Sequence, residues 1–261
     1  MATYLDRIVA AHREAAAADQ RSVDDLREQA AALPPTRGFA AALAAADGLA
    51  VIAEVKRASP SKGDLNRDLD PAAVASAYAA GGATCLSVLT DADWFSAVDG
   101  DLQAARAAVA IPVLRKDFTV GAADVCDTRI MGADAVLLIA AALDDAELAD
   151  LHALALELGL DALVEIHDEA ELERALAVGA SLIGVNQRDL VTFEVDTDRA
   201  VRMAPQMPAG VVRVAESGVR DVTDATLLAE AGYHAVLVGE SLVTAGDHGA
   251  AVAALRAIPR S

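Results

Sequence analysis

Residues 132–159 read GADAVLLIAAALDDAELADLHALALELG, and the two halves of that stretch follow different hydrophobic periods. Ala135-Val136-Leu137-Leu138-Ile139 is apolar at every position, the pattern of a parallel strand covered on both faces. From Ala146 to Leu154 apolar and acidic residues follow helical spacing, and Gly159 supplies the stop. Outward from this unit the alternation recurs along the whole chain from Ala50. Apolar runs stand at Val51–Val55, Thr84–Leu89, Ile111–Leu114, Ala162–Ile166, Ser181–Val185, Val211–Val214 and Ala235–Val238, with Ala/Leu/Glu/Asp-rich helical stretches between them. Eight strand–helix units in roughly 210 residues predict an α/β fold, a (β/α)8 TIM barrel, which typically occupies ~250 residues. A doubly wound sheet is the competing reading, but it carries a glycine-rich loop after its first strand. Here that loop holds Ser59-Pro60-Ser61 and no GxGxxG, so the barrel is preferred.

Residues 1–48 precede the first strand and read as helix, turn, helix. Ser22 with Asp25 resembles a capping box, and Pro34-Pro35 ends the segment. The segment has too little apolar variety for a core of its own. It is expected to be an N-terminal helical extension packed over one barrel mouth, so that residues 1–261 form a single domain with the barrel at 49–261.

The 261 residues are 54% hydrophobic but only 3% aromatic, so the core must be built from Ala, Val, Leu and Ile. Lys and Arg total 21 against 40 Asp and Glu, a net charge of −19. That balance argues against nucleic acid or an anionic membrane as partner, because both need basic surface. The longest apolar run, Ala135 to Leu143, is about half the ~20 residues of a spanning helix. The N-terminus is charged too early for a signal peptide. Cys85 and Cys126 form no disulfide framework and read as packed hydrophobes, which suits a reducing, cytoplasmic setting. Only three of the basic residues are lysines, Lys56, Lys62 and Lys116, which marks them for inspection.

In a barrel the active site lies at the C-terminal ends of the strands. Glu54 and Lys56, at the end of strand one, are two residues apart and leave the same face. Strand three ends in Arg115-Lys116-Asp117-Phe118 and strand five in Glu165-Ile166-His167. Strand six ends in Asn186-Gln187-Arg188 and strand seven in Glu216-Ser217-Gly218. Strand eight ends in Gly239-Glu240-Ser241. One buried ion pair would serve packing as well as catalysis, but ionisable or amide groups from six strands at one mouth favour a catalytic site. Small residues after strands seven and eight stand where barrels commonly bind phosphate with loop N–H groups and a short helix N-terminus. His167-Asp168 is read more simply, with Asp168 capping the next helix and Glu171 as its capping-box partner. Trp94 is open between rim packing and a substrate wall.

The strings IAEVKRASPSKG (52–63), LSVLTD (86–91), PVLRKDF (112–118), GADAVLLIAA (132–141), LVEIHDEAEL (163–172), GVNQRDL (184–190), AESGV (215–219) and VLVGESL (236–242) resemble the indole-3-glycerol-phosphate synthase family. The resemblance runs from about residue 48 to the end, and a helical N-terminal extension is also a family feature. It implies the decarboxylating ring closure of 1-(2-carboxyphenylamino)-1-deoxyribulose 5-phosphate in tryptophan biosynthesis, with no metal or organic cofactor. The five scattered histidines, without HExxH spacing, agree.

By the same resemblance Lys116 is the general acid of ring closure and Glu165 the general base of rearomatisation and dehydration. Lys56 holds carboxylate or phosphate and can act as a second acid, oriented by Glu54. Asn186, Arg188 and Glu216 bind or organise the substrate, Phe118 lies by the anthranilate ring, and Ser59 contacts substrate. Ser217, Gly218, Gly239 and Ser241 surround the phosphate. Gln187 departs from the family's second Asn, and the loop Trp94–Gly100 departs from its usual glycine-rich stretch. A phosphoribosylanthranilate isomerase, the nearest alternative enzyme, would want a cysteine at the end of strand one. A non-catalytic phosphate-binding barrel would have lost the Lys116 and Glu165 pair. The family suggests a monomer. The anionic substrate leads to the expectation of a positive island at the mouth, and excess Asp with scarce Lys suggests a halophilic surface.

Overall fold

A computed structural model of the chain describes residues 3–59, 62–189 and 193–260. Pro60 and Ser61 of the strand-one motif and Leu190 of the strand-six motif lie outside the described residues. Eight parallel strands form the centre: β1 (Ala50–Val55), β2 (Cys85–Leu89), β3 (Val113–Lys116), β4 (Ala135–Ile139), β5 (Asp161–Ile166), β6 (Leu182–Asn186), β7 (Val212–Glu216) and β8 (Ala235–Val238). They close in the order β1-β8-β7-β6-β5-β4-β3-β2, so the predicted (β/α)8 barrel is the observed fold.

The helices around it are α4 (Pro71–Ala80), α5 (Asp101–Ala107), α6 (Ala122–Ile130), α7 (Asp145–Glu157), α8 (Glu169–Ala177), α9 (Arg199–Met203), α10 (Val222–Glu230) and α11 (His248–Arg256). Three more precede β1, namely α1 (Tyr4–Ala18), α2 (Val23–Ala31) and α3 (Phe39–Ala44). One apolar shell lies between strands and helices and a second fills the barrel interior. Both cysteines are buried free thiols, as expected.

Side chains alternate across a strand, so the interior is built in layers. Ile52, Cys85, Leu114, Leu163, Val214 and Leu237 belong to the inner apolar cluster. Two residues further along those strands come Glu54, Ser87, Lys116, Glu165, Glu216 and Gly239. The apolar layer is therefore a floor beneath a polar one.

The extension does more than cover one mouth. It contains three helices, not two, and touches both ends of the barrel. At the N-terminal end α3 is a plug, with Phe39 and Leu43 fully buried in the interior cluster. The N–H of Ala40 donates to Asp161 Oδ2 at 2.9 Å, at the start of β5. Asp134, wholly buried just before β4, accepts from the N–H groups of Arg37 and Val113, each at 2.8 Å, and from Arg106 Nη2 at 2.9 Å. One carboxylate thus ties the extension to two barrel elements. At the opposite mouth Tyr4, Leu5 and Ile8 of α1 line the central cavity. Arg13 of α1 makes a two-pronged contact with Glu147 at 2.6 and 2.7 Å. Between the mouths α2 packs against α6. Its Ser22 accepts from the N–H of Asp25, a one-sided cap in place of the expected box.

Three strands end later than their apolar runs suggested. β3 runs through Arg115 and Lys116, β6 through Asn186, and β7 through Ala215 and Glu216. An apolar run stops at the first polar residue, whereas hydrogen-bonded pairing continues: Leu89 pairs with Lys116 and Asn186 with Glu216. β3 also starts at Val113 rather than Ile111, just after Pro112, whose nitrogen has no proton to donate.

Phe39 makes the plug a measurable element. Phe39→Ala is expected to lose about 3–5 kcal/mol of unfolding free energy, the usual cost of truncating a buried phenylalanine. Urea denaturation checks this, and a loss below about 1 kcal/mol would show that α3 does not seal the barrel.

Candidate active site

The polar layer converges on Lys116. Its Nζ lies 2.8 Å from Glu165 Oε2 and 3.4 Å from Glu216 Oε2. Both carboxylates are buried, at 1% and 2% exposure. Burial opposes the ammonium, but Glu165, Glu216 and Glu54 together outweigh it and hold Lys116 above the ordinary lysine range. Two carboxylates sharing one cation cannot be equally satisfied. Burial also works against ionising Glu165, yet the charges of Lys116 and His167, with hydrogen bonds from Lys116 and Asn186, pull it down to about 2. Glu216, at the longer distance, is pushed up to about 8 by burial and the negative charge of Glu165, against the pull of Lys116. Of the two acids, Glu165 is therefore biased toward the carboxylate and Glu216 toward keeping its proton.

Two glycines make room for this arrangement. A Cβ on Gly184 would lie 2.0 Å from Glu216 Oε1, and one on Gly239 would lie 2.2 Å from Glu54 Oε1 and 2.9 Å from Lys56 Nζ. The absent side chains are the space the acids occupy. Glu54 and Lys56 do meet, at 2.6 Å, as their shared face required.

Asn186 Nδ2 donates to Glu165 Oε1 at 3.0 Å while its Oδ1 accepts from the N–H of Arg188, also at 3.0 Å. The backbone beyond β6 thus fixes the amide that fixes the acid. Arg188 donates from Nη1 to Phe193 O at 3.1 Å and lines the cavity. Gln187, the departure from the family pattern, is buried and donates to Ser217 O at 2.7 Å. Ser217 and Gly218 both sit at positive φ, 65° and 77°, in a tight turn after β7. After β8, Gly239 precedes a four-residue helix, Glu240–Val243. A helix's first N–H groups have no partner within it and suit an anion. Ser241 Oγ spends its proton on Val219 O at 3.1 Å, which ties the two turns together. Ser217, Gly218, Gly239 and Ser241 all line one cavity of about 1000 Å³ with Lys56, Lys116 and Glu165.

The remaining expected residues fall on the same cavity. Ser59 lies in a two-stranded ribbon, pairing with Gly63, and Phe118 forms part of the wall with Phe95, ring centroids 6.3 Å apart. Trp94 is a rim residue, edge-on to Tyr4 at 5.1 Å, and its neighbour Phe95 is the one that faces the cavity. Sequence patterning missed Tyr4, Leu5 and Ile8, because an amphipathic helix does not announce which mouth it covers. The expected positive island is in fact a balance. Lys56, Lys62, Lys116, Arg188 and Arg220 line the cavity against Glu54, Asp117, Glu165, Glu216 and Glu240. His12, Asp91 and Asp117 bring ligand-type atoms within 4.8 Å of one another. Their lone pairs are engaged, since His12 meets Asp91 at 2.7 Å and Asp117 accepts from Arg115 at 2.8 Å.

A closed parallel barrel with a buried lysine–carboxylate cluster at its C-terminal mouth defines an acid–base enzyme of the (β/α)8 class. The comparisons narrow the class. A family profile described as indole-3-glycerol phosphate synthase matches residues 5–255, and the chain belongs to that family. The indole-3-glycerol phosphate synthase of Mycolicibacterium vanbaalenii is 52% identical over 256 residues, covering 97% of this chain and 94% of the relative. The protein of that name from Leptothrix cholodnii is 49% identical, covering 98% and 99%. A solved thiamine phosphate pyrophosphorylase from Pyrococcus furiosus shares the fold, with a TM-score of 0.57, 16% identity, and coverage of 80% of this chain and 95% of that one.

The raised Glu216 carboxyl carries a sign. The folded protein keeps a proton there that the unfolded chain has released above about pH 4.5, so its contribution to stability falls as pH rises toward about 8. Glu216→Gln is expected to flatten the stability–pH curve between those limits. Parallel wild-type and variant curves in urea titrations at several pH values would contradict the assignment.

Proposed function

We propose that the chain converts 1-(2-carboxyphenylamino)-1-deoxyribulose 5-phosphate to indole-3-glycerol phosphate, CO2 and water, as a carbon–carbon lyase of tryptophan biosynthesis. The observation that carries this is Lys116 held by Glu165 and Glu216 at the barrel mouth. Membership of the family supplies the reaction. Ring closure needs a proton on the ketone oxygen as the aromatic carbon attacks the carbonyl carbon. Lys116 gives that proton and keeps the electron pair as a neutral amine. The carboxyl group then leaves as CO2, and its bonding electrons restore the aromatic ring. Lys56, as the second acid, then protonates the new hydroxyl, which leaves as water while Glu165 removes a proton from the neighbouring ring carbon, and that C–H electron pair completes the indole.

Lys56, oriented by Glu54, meets the substrate's carboxylate or phosphate and is the second acid. Glu216, as a neutral acid, and Asn186 position Glu165 and the sugar hydroxyls, with Arg188 beside them. Phe118 takes the anthranilate ring and Ser59 borders it. The turns Ser217-Gly218 and Gly239-Glu240-Ser241 take the phosphate through backbone N–H groups.

The assay is the fluorescence of the indole product from purified protein and the carboxyphenylamino substrate, and absence of turnover at every salt concentration would end the proposal. Lys116→Ala is expected to lower kcat by about 10²–10⁴. In the same assay Ser241→Asp is expected to raise KM by charge repulsion at the phosphate.

We further propose a monomeric cytoplasmic protein with its extension and barrel as one domain, adapted to high salt. No helix among the described residues is long and apolar enough to cross a membrane. A net charge of −19 with three lysines favours a surface whose self-repulsion is screened by ions. Sedimentation and urea unfolding in dilute to molar KCl should show one species of 26.7 kDa that gains stability with salt. Stability that stays flat or falls would refute halophily.

A further inference from the structure

His167 stands two residues beyond Glu165, at the start of the turn into α8, and its side chain is partly buried. Its own N–H donates to Glu171 Oε2 at 2.7 Å, and its ring Nδ1 lies 3.1 Å from the same oxygen. Asp168 does cap α8, accepting from the N–H of Glu171 at 2.9 Å. The carboxylate of Glu171, however, turns to His167 instead of returning to Asp168, so the expected capping box is replaced by a clamp on the imidazole. With Nδ1 held, Nε2 points the other way, to 3.8 Å from Glu165 Oε1, and has no hydrogen-bond partner. The ring is therefore sandwiched between two carboxylates, one on β5 and one on α8. Arg199, at the start of α9, is the charge facing it with the opposite influence.

We propose that His167 is a positioning residue for Glu165: clamped by Glu171, its imidazolium is a second cation that keeps Glu165 ionised while Lys116 is engaged with the substrate. The geometry gives the reason. Glu165 Oε2 leans on Lys116 and Oε1 receives the neutral amide of Asn186. When the ammonium turns to the ketone oxygen and loses its proton there, Glu165 loses its nearest counter-charge in a buried site. An isolated buried carboxylate takes up a proton instead. A carboxylate protonated at that moment cannot serve as the base of the later dehydration. His167 does not exchange a proton with the substrate in this scheme. Its charge alone acts, through Glu165. The balance at the ring agrees: burial opposes the charged imidazole, but Glu171 and Glu165 prevail over it and over Arg199.

This rests on the lyase reading, so one measurement is made without turnover. In histidine NMR spectra of the whole protein, the His167 ring should carry protons on both nitrogens at pH 7, and Glu171→Gln should lower its titration midpoint. A neutral ring at pH 7 overturns the proposal whether or not the protein turns over substrate. In the activity assay, His167→Asn should lower kcat roughly tenfold or more with KM within about twofold. Its acid limb in kcat should move up by about one pH unit, the size expected for losing an opposite charge near a carboxylate. Glu171→Gln should move that limb the same way by less. Should His167→Asn fail to fold, Glu171→Gln decides on its own. Wild-type kcat with an unmoved acid limb in whichever variant folds would overturn the proposal.

Discussion

The partly buried ammonium of Lys116, held between Glu165 and Glu216, is the constraint on which the rest of the site depends. Lys116 reaches the cavity between two acids that are themselves almost fully buried, so each of those acids needs its cation at short range. Removing one member of such a cluster typically costs about 3–5 kcal/mol, which makes the cluster a structural commitment as well as a candidate site. Its partners are therefore held from several sides. Asn186 fixes Glu165, the space over Gly184 admits Glu216, and the space over Gly239 admits Glu54 and Lys56.

The floor beneath this layer explains why it stays in place. Inward-facing Ile52, Leu114, Leu163 and Val214 pack into one interior cluster directly below Glu54, Lys116, Glu165 and Glu216. Phe39 and Leu43 stop that cluster from opening at the opposite end. A looser floor would let Glu165 and Glu216 tilt and trade places at the ammonium they share. Chain connectivity strengthens this. The segment that plugs the bottom also supplies α1, which walls the top, so the two ends of the barrel are braced by one continuous stretch.

Much of this was legible beforehand, and the gaps have physical causes. Near-continuous apolar runs such as Ala135–Ile139 identify parallel strands because both their faces are covered. The same rule cuts a strand short at its first polar residue, and the residues it cut off, Lys116, Asn186 and Glu216, are inward-facing members of the candidate site. Glu54 and Lys56 could be paired from their spacing because both lie on one strand. The meeting of Lys116 with Glu165 depends on strands 49 residues apart and needed the barrel closed. Glu171 shows the opposite limit. A capping motif predicts the Glu171 N–H that donates to Asp168, but the donor that the Glu171 carboxylate takes instead, the N–H of His167, lies outside the motif's logic.

The charge distribution draws these threads together. A protein of net charge −19 that handles an anionic substrate was expected to concentrate cations at its mouth, yet among the described residues the cavity lining is balanced between five cationic and five acidic side chains. The balance is spatial as well as numerical. Lys62 meets Glu240 at 3.3 Å on the rim, where both are substantially exposed and solvent makes the pair worth little. Lys116 and its acids sit deeper, where each charge counts for more. An anion entering past the rim displaces a weak pairing at small cost, and then meets an ammonium whose present partners are themselves acids. Because Lys116 cannot serve two carboxylates equally, burial and the charge of Glu165 bias Glu216 toward its protonated form, and that bias lightens the negative charge an entering anion meets.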